Sequence, residues 1–243
     1  TQPESSAASD VYKRQTQVVG RDRYIEYVSW LANVAASCEK ILQEIRNLQR
    51  SEIQEAGEGF DIKKQVGSST MAHKKNPIKS ENASGLARIV RSMIIPTYEN
   101  ALLWHERDLA NSSSERFTLS HGSALCEDVI NKTRQVLTNM WVDADRCLEN
   151  IKSQRGLVMA EKVMIELVEH GIPRDEAHEI LRSASFEAVD KKIELIDVCS
   201  RTPEIAAAFS AEDLEAMFDP MNHIGVSGEI VDEAVNLARL AVQ

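Results

Sequence analysis

Apolar residues recur with a helical period along most of the chain. From about Val18 to Ser51 the spacing alternates between four and three residues, which is typical of an amphipathic α-helix. The apolar or small positions form two adjacent seams: Tyr24, Val28, Leu31, Ala35, Cys38, Leu42 and Ile45, and then Tyr27, Val34, Ile41 and Leu48. Two adjacent seams predict a long helix that is buried over a broad face, as in the middle of a helical bundle.

Two more long helices are predicted in the first part of the chain. One begins after Pro77, because helices accept proline in their first turn, and Pro96 is expected to kink or interrupt it. A break is expected at about 104–111. The other long helix is predicted over about Ser112–Ser153, with Ser112 and Glu115 as a capping box at its start.

The helical pattern shortens towards the end of the chain. Segments near 157–169, 174–190, 203–208, 211–218 and 226–241 are predicted to be helices, and no convincing strand is visible. The prediction is therefore an all-α protein, with a long-helix bundle portion at 16–154 and a smaller C-terminal helical domain at 155–243. Residues 1–15 are polar and without pattern, and are expected to be disordered or a non-native leader.

Composition supports this fold class and excludes several functions. The 243 residues include only 10 Gly and 6 Pro, which favours few, long elements. A formal net charge of −10 argues against nucleic-acid binding, and no apolar run has the length of a membrane span. The four Cys and six His follow no zinc-binding spacing, and no glycine-rich nucleotide loop occurs. We therefore expect no metal site and a cytoplasmic protein with reduced thiols.

One polar segment within a long predicted loop, Glu55–Pro77, is a candidate for chemistry. It runs GSSTMAHKKNP over residues 67–77 and brings together the hydroxyl of Ser68, the cation of Lys74 and the amide of Asn76. Such a cluster suits a substrate that carries carboxylates. The residue types alone are equally compatible with a polar surface loop that ends in a helix cap.

The sequence of this loop resembles the signature loop of the fumarase/aspartase superfamily, whose usual form is GSSxMPxKxNP. Three more segments, Tyr98–Asn100, Leu103–Asp108 and Ser112–Arg116, resemble the adenylosuccinate lyase family, as do Thr16-Gln17 and Arg21–Arg23. The resemblance extends from Thr16 onward. It implies a helical homotetramer with active sites shared between subunits, which releases fumarate from adenylosuccinate, giving AMP, and from the succinyl-carboxamide ribotide of purine biosynthesis. It implies no cofactor.

The resemblance also assigns roles to residues. It makes Ser68 the general base, which removes a proton next to a carboxylate of the succinyl group. A serine hydroxyl is a weak base unless its alkoxide is stabilised, and Lys74 would supply a cation for this. Lys74 and Asn76 would also stabilise the charge that builds on the carboxylate. Further substrate contacts are implied for Gln17, Ser69 and Met71.

The nucleotide phosphate requires separate anchors, which the resemblance places at Arg107, Ser112 and Arg116. Ser112 and Arg116 are four residues apart at the start of a predicted helix, where free N–H groups attract phosphate. The residues alone also allow a simpler interpretation, in which Ser112 is a helix cap and Arg116 is a solvated charge.

The chain departs from the family pattern in two respects. Ala72 replaces the usual proline of the signature loop, which frees the open-loop states by about 0.4–1 kcal/mol. Family members also carry, before the Thr16-Gln17 point, a segment with the histidine that acts as general acid. We therefore expect the chain alone to lack normal lyase activity. The alternatives are another superfamily lyase, such as argininosuccinate lyase or a carboxymuconate cycloisomerase, and a non-catalytic helical oligomerisation module.

Overall fold

The protein is described from a computed structural model, which covers residues 19–60, 71, 74–106 and 108–242. The described residues form two compact units with a boundary between Ala144 and Asp145. The sequence-based division at 154/155 assigned the helix Ala144–Ser153 to the first region, whereas the contacts of this helix begin the second unit. The predicted leader at 1–15 lies outside the described residues.

The first unit is built from long helices, which confirms the all-α prediction. Its elements, in order, are α1 (Asp22–Leu48), β1 (Ala56–Gly57), α2 (Ile78–Ser92), α3 (Ile94–Glu99), a 3₁₀ turn (Trp104–Glu106), α4 (Ala110–Glu115), a π-helical stretch (Arg116–His121), α5 (Gly122–Asn139) and β2 (Trp141–Val142). Helices α1, α2 and α5 pack together around two buried clusters. These clusters contain Leu31, Ala35, Ala87, Val90, Cys126 and Val129, and Leu42, Ile45, Ala83 and Val136.

The first of the two predicted seams of α1 is largely buried, whereas the second is buried only in part, at Val34 and Leu48. Val28, Leu31 and Leu42 of the first seam are at most 4% exposed. In the second seam, Tyr27 and Ile41 are each 41% exposed. The prediction of burial over a broad face is therefore wrong for the chain by itself, because α2 and α5 cover one side of α1 and leave the other open.

The predicted helix from Ser112 to Ser153 is interrupted. The break around 104–111 occurs as expected, but the chain then passes through α4, the π-helical stretch and α5, and β2 precedes the next helix. The predicted capping box is also wrong: α4 begins at Ala110, two residues before Ser112, and no side chain caps it at Leu109. The carboxylate of Asp108 instead accepts a hydrogen bond from the Ala110 N–H at 2.8 Å.

A short antiparallel pair of strands fixes the chain just after α1. Gly57 pairs with Trp141, and Ala56 pairs with Val142. Gly59 follows immediately, and a Cβ atom there would lie 2.1 Å from the carbonyl oxygen of Asn139. Only glycine allows this close backbone approach. The sequence showed no convincing strand, and these two-residue strands are too short for a periodic pattern to reveal.

The second unit consists of shorter helices around its own core. Its elements are α6 (Ala144–Ser153), a 3₁₀ turn (Leu157–Met159), α7 (Ala160–Glu169), α8 (Arg174–Lys191), α9 (Leu195–Cys199), α10 (Pro203–Ala208), α11 (Ala211–Phe218), a 3₁₀ turn (Pro220–His223) and α12 (Ser227–Ala241). The five predicted segments are confirmed to within a residue or two. Helix α9 was not predicted, because five residues are too few to show a helical period. Its Leu195 and Cys199 are fully buried.

In the parts of the chain that the structure describes, no helix has both the length and the apolar character needed to cross a membrane.

Candidate functional site

The structure describes five of the nine predicted site residues. Met71, Lys74 and Asn76 lie beside one cleft of the first unit, and Ser112 and Arg116 lie in another part of that unit. The remaining four, Gln17, Ser68, Ser69 and Arg107, lie outside the described residues.

The cleft has a volume of about 1030 Å³ and lies between the end of α1 and the segment Lys74–Pro77 that precedes α2. Trp141 of β2 closes a further side. Helix α2 begins directly after this segment because Pro77 occupies its N-cap position. The full lining consists of Gln43, Arg46, Asn47, Gln49, Arg50, Ser51, Gln54, Met71, Lys74, Lys75, Asn76, Pro77, Glu81 and Trp141.

The cleft is positively charged within an acidic protein. Arg46 reaches it from the last turn of α1 and Arg50 from just beyond the end of that helix. Lys74 and Lys75 reach it from the loop, whereas Glu81 is the one carboxylate among the described lining residues. Within the described ranges, these four cations form no ion pair with a carboxylate. Unpaired cations around a concave surface raise the local concentration of anions. The cleft can therefore hold a ligand that carries carboxylate or phosphate groups.

Asn76 and Lys74 are held differently at this cleft. Asn76 is partly buried, and its backbone carbonyl accepts a hydrogen bond from the Ile78 N–H at 2.9 Å. Lys74 is exposed, and its backbone N–H donates to the carbonyl of Met71 at 3.1 Å. The ammonium group of Lys74 is thus free to meet a ligand from solvent.

A buried carboxylate anchors the start of α2 next to the cleft. Glu58 is 3% exposed, and its Oε2 accepts hydrogen bonds from the backbone N–H and the hydroxyl of Ser80, each at 2.9 Å. Its Oε1 accepts from the Lys79 N–H at 3.1 Å. A carboxylate at a helix N-terminus satisfies free N–H groups and opposes the positive end of the helix dipole.

Sequence reasoning did not identify Glu58, nor the two arginines at and just after the end of α1 that line the cleft. Glu58 stands between Gly57 and Gly59, so one available signal was an acidic residue flanked by two glycines shortly before the signature loop. Arg46 lies in the last turn of α1 and Arg50 follows the end of that helix. Both resemble ordinary solvated charges until the fold brings the loop beside them.

The other two described site residues lie where the helix geometry is irregular. Ser112 is partly buried in α4, and Arg116 is exposed at the first position of the π-helical stretch. Neither residue lines the cleft. Nearby His105 has a left-handed backbone with a φ of 51°. Single π-turns and residues with positive φ occur often at functional sites.

Three buried polar atoms in the same region have no hydrogen-bond partner within the described structure: Nδ2 of Asn100, Oδ1 of Asn111 and Oγ1 of Thr118. Such atoms carry a desolvation cost of about 1–3 kcal/mol each. Buried polar atoms without partners reduce stability, so their presence in and around α4 agrees with a role of this region in binding.

No group of three or more His, Cys, Asp or Glu side chains that could hold a metal ion occurs among the described residues. The polar groups at the cleft are ammonium, guanidinium and amide groups, which bind anions rather than metal cations.

Comparison with known families identifies two regions of the chain. Residues 6–92 match the family model described as "Lyase", and residues 156–234 match the family model described as "Adenylosuccinate lyase C-terminus".

Individual relatives extend this similarity. The chain is 42% identical over 220 residues to an adenylosuccinate lyase from Archaeoglobus fulgidus, with 90% of this chain and 49% of that protein aligned. It is 43% identical over 219 residues to an adenylosuccinate lyase from Methanothermobacter thermautotrophicus, again with 90% and 49% aligned. The chain thus spans about half the length of the curated relatives it matches.

Solved structures give the same architecture. The crystal structure of 3-carboxy-cis,cis-muconate lactonizing enzyme from Pseudomonas putida matches with a TM-score of 0.79 and 27% identity, over 95% of this chain and 51% of that one.

Proposed function

We propose that this chain carries part of a site that releases fumarate from adenylosuccinate. It matches the family models described as "Lyase" and "Adenylosuccinate lyase C-terminus", and it resembles adenylosuccinate lyases over 90% of its length. The other product is AMP, and the succinyl-carboxamide ribotide of purine biosynthesis is a second substrate. The observation that carries the proposal is the 42–43% identity to adenylosuccinate lyases over a region that includes the signature loop.

The cations and the amide that line the described cleft support the proposed reaction. Ser68 removes a proton from the carbon next to one carboxylate, and the bond between the neighbouring carbon and nitrogen breaks as the double bond of fumarate forms. Lys74 and Asn76 stabilise the negative charge that builds on the carboxylate during proton removal. The departing nitrogen receives a proton from a general acid that no residue of this chain supplies by motif.

The nucleotide end of the substrate is assigned to Arg107, Ser112 and Arg116. Ser112 and Arg116 do not line the cleft that holds Lys74, so we propose that one complete site combines these segments from different subunits of a homotetramer. The open side of α1 supports association, since Tyr27, Trp30 and Ile41 are 41–58% exposed there. Exposed aromatic and aliphatic clusters of this kind are typical of protein interfaces.

An assay of fumarate release tests the proposal. The chain is joined to the half of the Archaeoglobus fulgidus relative that it does not match, and the chimera is incubated with adenylosuccinate. We expect turnover that falls by several orders of magnitude in Ser68→Ala, and much weaker turnover by the 243-residue chain alone. A chimera that folds and assembles but releases no fumarate would contradict the proposed function.

A second candidate is cycloisomerisation of a carboxymuconate, since the muconate-lactonizing enzyme shares the fold with a TM-score of 0.79. Identity to that protein is 27%, compared with 42% to the adenylosuccinate lyase. The same chimera incubated with 3-carboxy-cis,cis-muconate discriminates the two. A non-catalytic oligomerisation module, by contrast, has no use for Ser68, Lys74 and Asn76 together.

A further inference from the structure

Three side chains connect the chain before the segment that leads into α2 with the chain after it. These residues are Gln49, Glu58 and Ser80, and we call them the loop clamp. Glu58 precedes this segment and Ser80 follows it. The Glu58 carboxylate accepts hydrogen bonds from both the N–H and the hydroxyl of Ser80, each at 2.9 Å. Glu58 is 3% exposed and Ser80 is fully buried, so water competes little for these bonds.

Gln49 extends the clamp to the cleft. Its Oε1 accepts a hydrogen bond from the Glu58 N–H at 2.9 Å, and its Nε2 donates to the Lys75 carbonyl at 3.0 Å. Lys75 lies between Lys74 and Asn76, so this one bond fixes the backbone between the two proposed site residues.

The Gln49 side chain is itself held in place by packing. A Cβ atom built on Gly57 would lie 2.8 Å from Cγ of Gln49 and 2.7 Å from Cζ2 of Trp141. The Gln49 side chain therefore lies directly against the Gly57 backbone, where a larger residue would displace it. Because Gly57 also pairs with Trp141 in the strands, the clamp is attached to a fixed part of the first unit.

We propose that Gln49 and Glu58 are positioning residues for the site. Gln49 acts through the Lys75 carbonyl and Glu58 acts through the start of α2, and together they hold the backbone of Lys74 and Asn76 in one position. The proposal rests on the proposed function for the role of those two residues. Glu58 and Ser80 do not line the cleft, and Gln49, which does, acts in this proposal through its bond to Lys75. The effect of the clamp on the reaction is geometric, because displacement of a catalytic group by about 1 Å can reduce a rate about 100-fold.

Two substitutions at Gln49 separate the bonds of the clamp. Gln49→Met keeps the volume beside Gly57 and removes both hydrogen bonds. Gln49→Glu keeps the acceptor for the Glu58 N–H and removes only the donor to Lys75. The control is Gln135→Glu, which makes the same change on the exposed surface of α5. Gln49 is only partly buried, so these variants disturb folding less than a substitution of Glu58 would.

The first measurement needs no activity. Backbone amide order parameters of the 243-residue chain are measured by NMR for Lys74, Lys75 and Asn76. We expect values near 0.85 in the original chain and in the control, and values below about 0.6 in both Gln49 variants. Amides in the middle of α2, such as Ala87 and Val90, stay rigid in every variant. Unchanged order at Lys75 and Asn76, or equal loosening throughout α2, would overturn the proposal.

The second measurement uses the chimera of the fumarate assay. We expect kcat/KM to fall 10- to 100-fold in both Gln49 variants, mainly through kcat, while the Tm changes by no more than it does in the control. The proposal would also be overturned if a Gln49 variant lowered the order parameter of Asn76 but left kcat of the active chimera unchanged. If the chimera is inactive before any substitution, the proposed function fails, and the order parameters still decide the role of the clamp.

Discussion

Arg21 and Glu115 form an ion pair between the start of α1 and the end of α4. The Nε atom of Arg21 lies 2.7 Å from Oε1 of Glu115, and the two side chains are 13% and 16% exposed. These residues are 94 positions apart in the chain. The pair therefore connects the first long helix to the segment that contains Ser112.

We expect Glu115→Gln to destabilise the first unit by about 2–3 kcal/mol, because it leaves the Arg21 guanidinium largely buried without a countercharge. Arg21→Met and the double variant complete a double-mutant cycle. We expect the double variant to lose less free energy of unfolding than the sum of the losses in the two single variants. Urea unfolding followed by tryptophan fluorescence measures this, since Trp30, Trp104 and Trp141 all lie in the first unit. Additive losses would mean that the pair contributes no coupling.

This pair also shows why the capping box was predicted wrongly. Ser112 and Glu115 have the spacing of a capping box, but Glu115 is engaged by a residue that no local pattern could indicate. The clamp residue Glu58 raises the same difficulty, because its partner Ser80 is 22 positions away. Local patterns cannot predict partners that only the tertiary fold brings together.

Features with a local cause were predicted well. Helices α1 and α2 and the five segments after residue 157 follow from a continuous apolar period and from proline or glycine at their ends. The interruption near Pro96 was predicted, although the structure places it at Met93, where α2 ends and α3 begins. The grouping of Lys74 with Asn76 followed from the loop sequence, whereas the contribution of Arg46 and Arg50 to the same cleft depends on how α1 packs.

Lys74 is the cation that we expect to matter most at the cleft. In the chimera, Lys74→Met should reduce kcat about 100- to 1000-fold, the usual cost of removing one group that stabilises charge in the transition state. Lys74→Arg keeps the charge and should recover part of this loss. The control is Lys40→Met, which removes an exposed cation from α1 outside the cleft. Equal kcat values for Lys74→Met and the control would exclude Lys74 from the reaction.

Gly156 occupies a position in the second unit that no other residue fits. Its φ is 78°, and a Cβ atom there would lie 2.8 Å from the ring of Phe218. Gly171 provides a matched comparison, with a φ of 92° and open space around it. We expect Gly171→Ala to cost about 1–2 kcal/mol through backbone strain alone, and Gly156→Ala to cost about 1–3 kcal/mol more through the clash.

Hydrogen exchange of buried amides in the second unit measures both glycine variants. Phe218→Leu should recover part of the additional loss in Gly156→Ala and none of the loss in Gly171→Ala. Equal losses at the two glycines would show that the Phe218 contact is unimportant.

Helix α11 begins with a capping box, in which the Ser210 hydroxyl accepts from the Asp213 N–H and the Asp213 carboxylate accepts from the Ser210 N–H. Hydrogen bonds from Ser210 lower the pKa of Asp213, and the bond from the Ser210 side chain contributes more than the bond from its backbone. A lowered pKa in the folded state means that the stabilisation is present above the unfolded pKa of about 3.9 and is lost as the pH falls through the folded value.

Asp213→Asn should therefore reduce stability at pH 7, and the difference from the original chain should shrink as the pH falls below about 4. Local hydrogen exchange of α11 at a series of pH values measures this difference. Glu212→Gln, at the neighbouring exposed position without this bond, is the control. A difference that persists unchanged at low pH would contradict the role of the ionised carboxylate.

Cys199 makes stability depend on pH with the opposite sign to Asp213. It is fully buried in the core of the second unit, and burial raises the pKa of its thiol to about 12. An unfolded thiol ionises near pH 8.5, so the folded chain holds the proton more tightly. The stability that this confers is complete below about pH 8.5 and is lost as the pH rises towards 12.

Two measurements check the thiol. Stability of the second unit should fall between about pH 8.5 and 10.5 in the original chain, and this slope should flatten in Cys199→Ala but not in Cys147→Ala, whose thiol is partly exposed. In native protein at pH 8 the Cys199 thiol stays protonated, because burial raises its pKa to about 12. Iodoacetamide should therefore label Cys147 long before Cys199, which reacts only as the second unit unfolds. Labelling of both at similar rates in the folded protein would show that the Cys199 thiol is neither shielded nor held protonated by the core.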